Sequence, residues 1–131
     1  MKPWPAVITV LALLVYLATS INVVVNRRKY SLHAPAMSGH PVVERALRVQ
    51  GNSLEWLVIF LPALWIFCAY WNNYVGAALG LLWCIGRIAY MAGYMIDTPK
   101  RGPGFALQGL ATLILLIGAG LGAIRALMVE L

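Results

Sequence analysis

Four long, largely apolar stretches dominate this sequence and restrict what it can fold into. A helix that crosses a hydrocarbon core of ~30 Å needs about 20 consecutive apolar residues, and each stretch is of that order. The predicted helices are residues 5–26, 43–71, 75–96 and 104–127. The chain of 131 residues is 62% hydrophobic and 11% charged, with a mean hydropathy of +0.81, which is outside the range of soluble domains. The sequence therefore predicts one all-α integral membrane domain, residues 1–131, built as a bundle of four transmembrane helices.

The basic residues surround two of the three predicted loops, and this distribution predicts the orientation. The first loop is flanked by Arg27, Arg28, Lys29, Arg45 and Arg48, the third contains Lys100 and Arg101, and the second contains no basic residue. Because basic residues of membrane proteins collect in cytoplasmic loops, we expect both basic loops in the cytoplasm and both termini on the other side. The same rule explains the formal net charge of +6 without a nucleic acid partner.

Two stripes of polar side chains enter the second and third predicted helices at the spacing of one helix face. The first stripe is Arg45, Arg48, Asn52 and Glu55, and the second is Arg87, Tyr90, Tyr94 and Asp97, each at steps of three, four and three. A short turn joins the two helices, so they should be antiparallel neighbours. An ionised group inside the hydrocarbon costs at least ~2.5 kcal/mol, and such groups usually face a bundle interior or a wet cavity and serve a function.

The chemistry of these side chains indicates the kind of ligand that they could hold. The polar groups near the membrane are Arg48, Gln50, Asn52, Glu55, Arg87, Tyr90, Tyr94 and Arg101. Guanidinium groups bind carboxylates bidentately, Glu55 can bind an ammonium, and the tyrosines add hydroxyl donors and flat apolar walls. A ligand with two carboxylates and one ammonium fits this set, and glutathione has those groups and a thiol. The alternative is structural: Arg87 and Glu55 could form a buried ion pair that joins two helices.

Neither the cysteines nor the histidines indicate a catalytic or metal site. Cys68 and Cys84 lie inside apolar segments without a basic neighbour that would lower a thiol pKa, so we expect them to pack in the core. His33 and His40 are seven positions apart in a predicted loop that contains proline and glycine, with no cysteine partner. We therefore expect no metal.

Two motifs of this chain resemble those of the membrane-associated proteins in eicosanoid and glutathione metabolism, abbreviated MAPEG. The first motif reads Glu44-Arg45, then Arg48-Val-Gln50-Gly-Asn52-Ser-Leu-Glu55-Trp56, and is similar to the family's Arg-x-Gln-x-Asn-x-x-Glu signature. The second reads Gly86-Arg87-Ile-Ala-Tyr90-Met-Ala-Gly93-Tyr94, with Pro99-Lys100-Arg101 after it, and is similar to Arg-x-x-Tyr-x-x-Gly-Tyr. The resemblance covers essentially the whole chain and includes the bacterial and microsomal glutathione transferases of the family.

The resemblance implies a homotrimer of four-helix subunits that binds glutathione at each subunit interface, near the cytoplasmic face. The residues that would hold glutathione are Arg48, Gln50, Asn52, Glu55, Arg87, Tyr90 and Tyr94, with Arg27 and Arg28 at the family's basic pair and Trp56 where well-studied members have tyrosine. Arg101 would be the catalytic residue that stabilises the thiolate. The expected location is the cell inner membrane, with the active site towards the cytoplasm.

The implied activity is that of a membrane-bound glutathione transferase, with possible peroxidase activity, that acts on lipophilic electrophiles or lipid hydroperoxides. Two alternatives remain open. A non-catalytic scaffold of the same family would keep the trimer but lack turnover. A small four-helix multidrug exporter would also need an intramembrane glutamate, although we would expect that residue in the first helix, which has none.

Overall fold

The computed structural model describes residues 2–131 and is almost entirely helical. The four long helices are α1 (Pro3–Lys29), α2 (Pro41–Tyr70), α3 (Asn73–Ile96) and α4 (Gly102–Glu130), and a short 3₁₀ helix, Thr98–Arg101, precedes α4. All four are long and apolar enough to cross a membrane, which confirms that part of the predicted fold. Each observed limit lies within one turn of the predicted one.

Residues at the helix starts explain where the helices begin. Proline occupies the first turn of α1 and α2, where a missing N–H costs nothing. The His40 Nδ1 atom accepts a hydrogen bond from the Val42 N–H, and the Asn72 side chain accepts bonds from the first N–H groups of α3. These acceptors satisfy amide groups that have no partner inside the helix. Pro62 lies inside α2, which continues through it without interruption.

The helices pack as an antiparallel bundle with α2 and α3 at its centre, because each of these two contacts all the other helices. In the core, the Phe60 ring of α2 stacks on the Trp83 ring of α3, with centroids 4.2 Å apart and planes 3° apart. On α1 the buried positions recur every three or four residues, and the remaining faces expose apolar side chains such as Leu13 and Leu17. This arrangement suits a bundle surrounded by lipid and places the two polar helices in contact with each other.

Glycines allow α4 to approach its neighbours closely. A Cβ atom on Gly104 would lie 2.6 Å from the Gly86 carbonyl oxygen and would also clash with the Tyr90 backbone nitrogen. Further along α4, a Cβ on Gly118 would lie 2.5 Å from the Phe67 ring, and one on Gly122 would lie 2.6 Å from Tyr70. These glycines therefore lie at helix contacts, as is typical of small residues in membrane bundles.

The two ends of the bundle differ in composition. At one end α1 and α3 finish and α2 and α4 begin, and we call it the basic end because it carries Arg27, Arg28, Lys29, Arg48, Lys100 and Arg101. The other end we call the aromatic end, because Trp4, Trp71 and Tyr74 lie there with about half or more of each side chain exposed. The basic end contains both predicted polar stripes.

Gly104→Ala should lower the stability of the bundle by about 1–3 kcal/mol, because the atoms that a new methyl group would meet belong to the backbone and cannot rotate away. Thermal unfolding of the purified chain in detergent measures this effect. Gly120→Ala is the matched control, since nothing lies within 4 Å of a Cβ at that position of the same helix. Equal melting temperatures for the two variants would contradict the close α3–α4 contact.

Candidate functional site

The guanidinium group of Arg87 joins α3 to α2 inside the bundle. Only 1% of the Arg87 side chain is exposed. Its Nη1 atom donates to the Asn52 side-chain oxygen at 2.9 Å, and its Nη2 atom donates to the Ser53 hydroxyl oxygen at 2.6 Å. Its Cζ atom lies 4.2 Å from the centre of the Tyr90 ring, a cation–π distance. The two predicted polar stripes therefore meet at the Asn52 amide, with the Ser53 hydroxyl of α2 as a second partner, while the Tyr90 ring contacts Arg87 from α3 itself.

The alternative ion pair between Arg87 and Glu55 does not form, because Arg87 is buried against Asn52 and Ser53 while Glu55 is exposed. The Arg87 Nε atom is buried and has no hydrogen-bond partner within residues 2–131. Burying a guanidinium group without a carboxylate partner is costly. Glu55 stays available for a group from outside the chain.

Arg101 lies against the exposed end of the tyrosine pair. The Tyr90 and Tyr94 rings are 5.6 Å apart in an edge-to-face arrangement, and the Arg101 Cζ atom is 5.3 Å from the centre of the Tyr94 ring. The Arg101 Nη1 atom donates to the Thr98 carbonyl oxygen at 3.1 Å, within the 3₁₀ helix. Arg87 of α3 and Arg101 of the 3₁₀ helix therefore each lie beside one ring of the tyrosine pair.

Gly93 permits the position of this arginine. A Cβ atom at Gly93 would clash with the Lys100 carbonyl oxygen and would lie 3.4 Å from the Arg101 backbone nitrogen. The absence of a side chain at this position lets the 3₁₀ helix lie directly on the last turns of α3. The Gly-Tyr pair of the second motif thus has a structural reason: glycine allows the approach and tyrosine contacts the arginine.

A surface groove of about 310 Å³ runs along the first turns of α2, and we call it the α2 groove. Its polar lining consists of Glu44, Arg48, Asn52 and Glu55, and Met37 from the loop before α2 lies at its rim. The Asn52 side chain connects this groove to Arg87, since its oxygen accepts the bond described above. The α2 groove therefore offers a cation and two carboxylates to a small charged molecule, and α3 supplies further positive charge.

The rings of Trp56, Phe105 and Tyr90 form an aromatic wall beside the polar groups. The Trp56 and Phe105 rings are 5.5 Å apart and nearly perpendicular, and the Phe105 and Tyr90 rings are 6.0 Å apart. Trp56 is half-buried and Phe105 is exposed, so part of this wall faces outwards. It provides an apolar surface beside charged groups.

Three residues of the sequence-based set lie elsewhere on the chain. Gln50 faces α1 and donates to the Ser20 hydroxyl oxygen at 3.1 Å. The Arg27 Nη1 atom donates to the Ala36 carbonyl oxygen at 2.6 Å and so holds the loop between α1 and α2, while Arg28 is exposed. One chain thus carries its predicted ligand groups on two faces: the α2–α3 face around Arg48 and the α1 face around Gln50.

The sequence-based set omitted several residues that shape this region. Ser53 and Phe105 contact Arg87 and Tyr90, and Gln108 of α4 is completely buried, with its side-chain oxygen unpaired within residues 2–131. Gln108 was detectable, because it is the one amide side chain in an otherwise apolar segment. Ser53 is harder to detect, because serine carries no charge and adds little to the hydropathy pattern. No cluster of three or more His, Cys, Asp or Glu side chains suitable for a metal occurs within residues 2–131.

Comparison with known proteins gives consistent matches over most of the chain. Residues 5–121 match the sequence profile of the MAPEG family. An uncharacterised protein of Synechocystis is 48% identical over 116 residues, which cover 88% of this chain and 85% of that protein. Human microsomal glutathione S-transferase 2 is 39% identical over 94 residues, which cover 71% of this chain but 64%, less than two thirds, of the human protein. Rat leukotriene C4 synthase is 30% identical over 117 residues, covering 89% of this chain and 78% of the rat protein. This chain, with four helices able to cross a membrane, therefore belongs to the MAPEG family and is a multi-pass membrane protein.

Proposed function

We propose that this protein is a membrane-bound glutathione transferase that activates the glutathione thiol for attack on lipophilic electrophiles or lipid hydroperoxides. The observation that carries the proposal is the position of three guanidinium groups at one end of the bundle: Arg87 lies against Tyr90, Arg101 lies against Tyr94, and Arg48 lines the α2 groove. Such a site favours an anion. Relatives named as a glutathione S-transferase and a leukotriene C4 synthase support the same reading.

The groups of glutathione fit the α2 groove and its surroundings. Arg48 can bind a carboxylate with two parallel N–H bonds, and Glu55 or Glu44 can accept from the ligand's ammonium. The groove volume of about 310 Å³ is at the lower end of the ~300–1,000 Å³ typical of small-molecule sites. An open groove of this size covers one side of a tripeptide, which leaves the other side for a second subunit.

Arg101 is the group that would activate the thiol. A free cysteine thiol has a pKa near 8.5, so only a few per cent is thiolate at neutral pH. A guanidinium within hydrogen-bond reach lowers that pKa by about 1–3 units, because it stabilises the ionised form. The position of Arg101 against Tyr94, on a turn fixed by Gly93, keeps its charge near the tyrosine pair.

The chemical step then needs no nucleophile from the protein. In a transfer reaction the thiol proton passes to solvent, the sulfur forms a bond to an electrophilic carbon, and the leaving group departs with the electron pair. With a hydroperoxide, the sulfur attacks the terminal oxygen, the O–O bond breaks, and the lipid alkoxide takes up a proton. A second glutathione converts the resulting sulfenic acid to a disulfide and water.

The aromatic wall supports a lipophilic second substrate. Trp56 and Phe105 present apolar rings beside Tyr90, and Phe105 is exposed at the outer surface of α4. A substrate dissolved in the bilayer could approach along this surface while glutathione enters from water. Under this proposal the basic end faces the cytoplasm, where glutathione is abundant, and the membrane is the cell inner membrane.

The division of ligand groups between two faces supports a homotrimer. Arg48, Asn52 and Glu55 belong to one face, whereas Gln50 lies against α1 of the same chain and Arg28 is exposed on α1. In a ring with threefold symmetry, one face of each subunit meets the other face of the next. Each interface would then contain a complete glutathione site, built from two subunits.

Arg101→Ala should reduce the rate of conjugation of glutathione with a generic aryl halide roughly tenfold or more at neutral pH, because the thiolate fraction falls. Stopped-flow absorbance of the thiolate on mixing enzyme with glutathione should lose its amplitude. The difference in conjugation rate between this variant and the wild type should become smaller above pH 9, where the free thiol ionises without a nearby cation.

Lys100→Ala is the matched control for this variant, since it removes a neighbouring exposed charge from the same 3₁₀ helix. It should retain the thiolate signal. An undiminished thiolate signal in Arg101→Ala would remove Arg101 from the mechanism, and a wild-type protein that forms no conjugate with any electrophile tested would favour a non-catalytic scaffold.

Glu55→Gln should weaken glutathione binding roughly fivefold, because the ligand's ammonium loses its counter-charge at an exposed site. Isothermal titration calorimetry measures the affinity, with Glu130→Gln at the other end of the bundle as the control. A glutathione analogue without the amino group should bind the wild type and Glu55→Gln with equal affinity. If glutathione itself binds both equally, the assignment of Glu55 to the ammonium is wrong.

A further inference from the structure

We propose that the aromatic end of the bundle binds the headgroup of an anionic phospholipid between Lys2 and Arg125, with Trp71 as the wall between the two cations. Two grooves of about 340 Å³ each meet at Trp71. Lys2 lines the first, together with Pro5 and Trp65, and Arg125 lines the second. This site lies at the opposite end of the bundle from the proposed glutathione site and does not depend on it.

Trp71 is fixed in place despite its position at a helix end. Its indole Nε1–H donates to the Gly118 carbonyl oxygen of α4 at 2.7 Å, although 46% of the side chain is exposed. The Arg125 Cζ atom lies 5.9 Å from the centre of the Trp71 ring, within cation–π range. The ring therefore holds a cation on α4 beside the end of α2, where a phosphate could reach it.

The first groove combines a cation with a preformed apolar wall. Trp65 is held by a hydrogen bond from its indole N–H to the Thr9 hydroxyl oxygen at 2.9 Å, so its ring packs along α1. Lys2 and Asn73 provide polar groups at the rim of the same groove. The Trp4 and Tyr74 rings, whose centroids are 5.6 Å apart, lie beside this groove. Trp and Tyr rings are typical of the headgroup level of a bilayer.

Charge complementarity favours an anionic lipid over other ligands. The other acidic side chains of the chain, Glu44, Glu55 and Asp97, belong to the basic end, and Glu130 alone lines the Arg125 groove. Among the side chains, two cations and one carboxylate give this end a net positive charge. Each cation should raise the affinity for an anionic lipid about fivefold. A soluble phosphate would use the cations but not the rings, and a zwitterionic lipid would use the rings but gain little from the cations.

Native mass spectrometry of the full-length protein in detergent, titrated with phosphatidylglycerol and separately with phosphatidylcholine, tests the proposal. Phosphatidylglycerol should bind more tightly. Lys2→Gln and Arg125→Gln should each weaken its binding about fivefold, and the double variant should approach the affinity for phosphatidylcholine. Lys29→Gln, which removes an exposed cation from the basic end, is the matched control and should bind as the wild type does.

Each other outcome overturns the proposal. Unchanged phosphatidylglycerol affinity in the double variant would show that the cations are not used, and an equal loss in Lys29→Gln would show only a general effect of charge. Equal affinity for phosphatidylcholine would indicate packing on the rings alone, and displacement by glycerol phosphate at the lipid's own concentration would indicate a soluble anion. Unfolding without lipid should be the same in all variants, so that a folding defect cannot imitate lost binding.

Discussion

The buried guanidinium of Arg87 is the interaction on which the basic end of this bundle depends. A charge inside a helical bundle is tolerated only where other groups replace water around it. Asn52, Ser53 and the Tyr90 ring do so here without a carboxylate. This keeps Glu55 free at the surface and fixes the Asn52 amide at the edge of the α2 groove. A neutralising ion pair would have joined the same helices but consumed the acidic group that a zwitterionic ligand needs.

The close contact between α3 and α4 extends this arrangement to Arg101. Gly86 and Gly104 bring the two backbones together, and Gly93 lets the 3₁₀ helix lie on α3. The position of Arg101 beside Tyr94 therefore follows from helix packing and not from a flexible loop. A site that must lower a thiol pKa needs its cation at a defined position, since the effect depends strongly on distance.

Much of this could be predicted from the sequence, because apolar length and helical periodicity report directly on membrane helices and their faces. The meeting of the two polar stripes followed from the short turn between α2 and α3. The hydrogen-bond partners do not follow from the sequence. Serine carries no charge and little hydropathy signal, so nothing in the sequence marks Ser53, and the opposite charges of Arg87 and Glu55 suggest a pair that the structure replaces with Asn52 and Ser53. Gln50 was grouped with Arg48 although two residues along a helix turn a side chain to the opposite side, and the structure places it against Ser20.

The central claim is that the polar groups of the basic end surround glutathione, shared between two copies of this chain. The most direct test is a cryo-electron microscopy structure of the protein in lipid nanodiscs with glutathione. Density for the tripeptide between Arg48 and Glu55 of one subunit and the α1 face of the next, with its sulfur towards Arg101, is the expected result. A bundle in which these side chains face lipid, or in which glutathione at saturating concentration leaves no density near them, would contradict the claim.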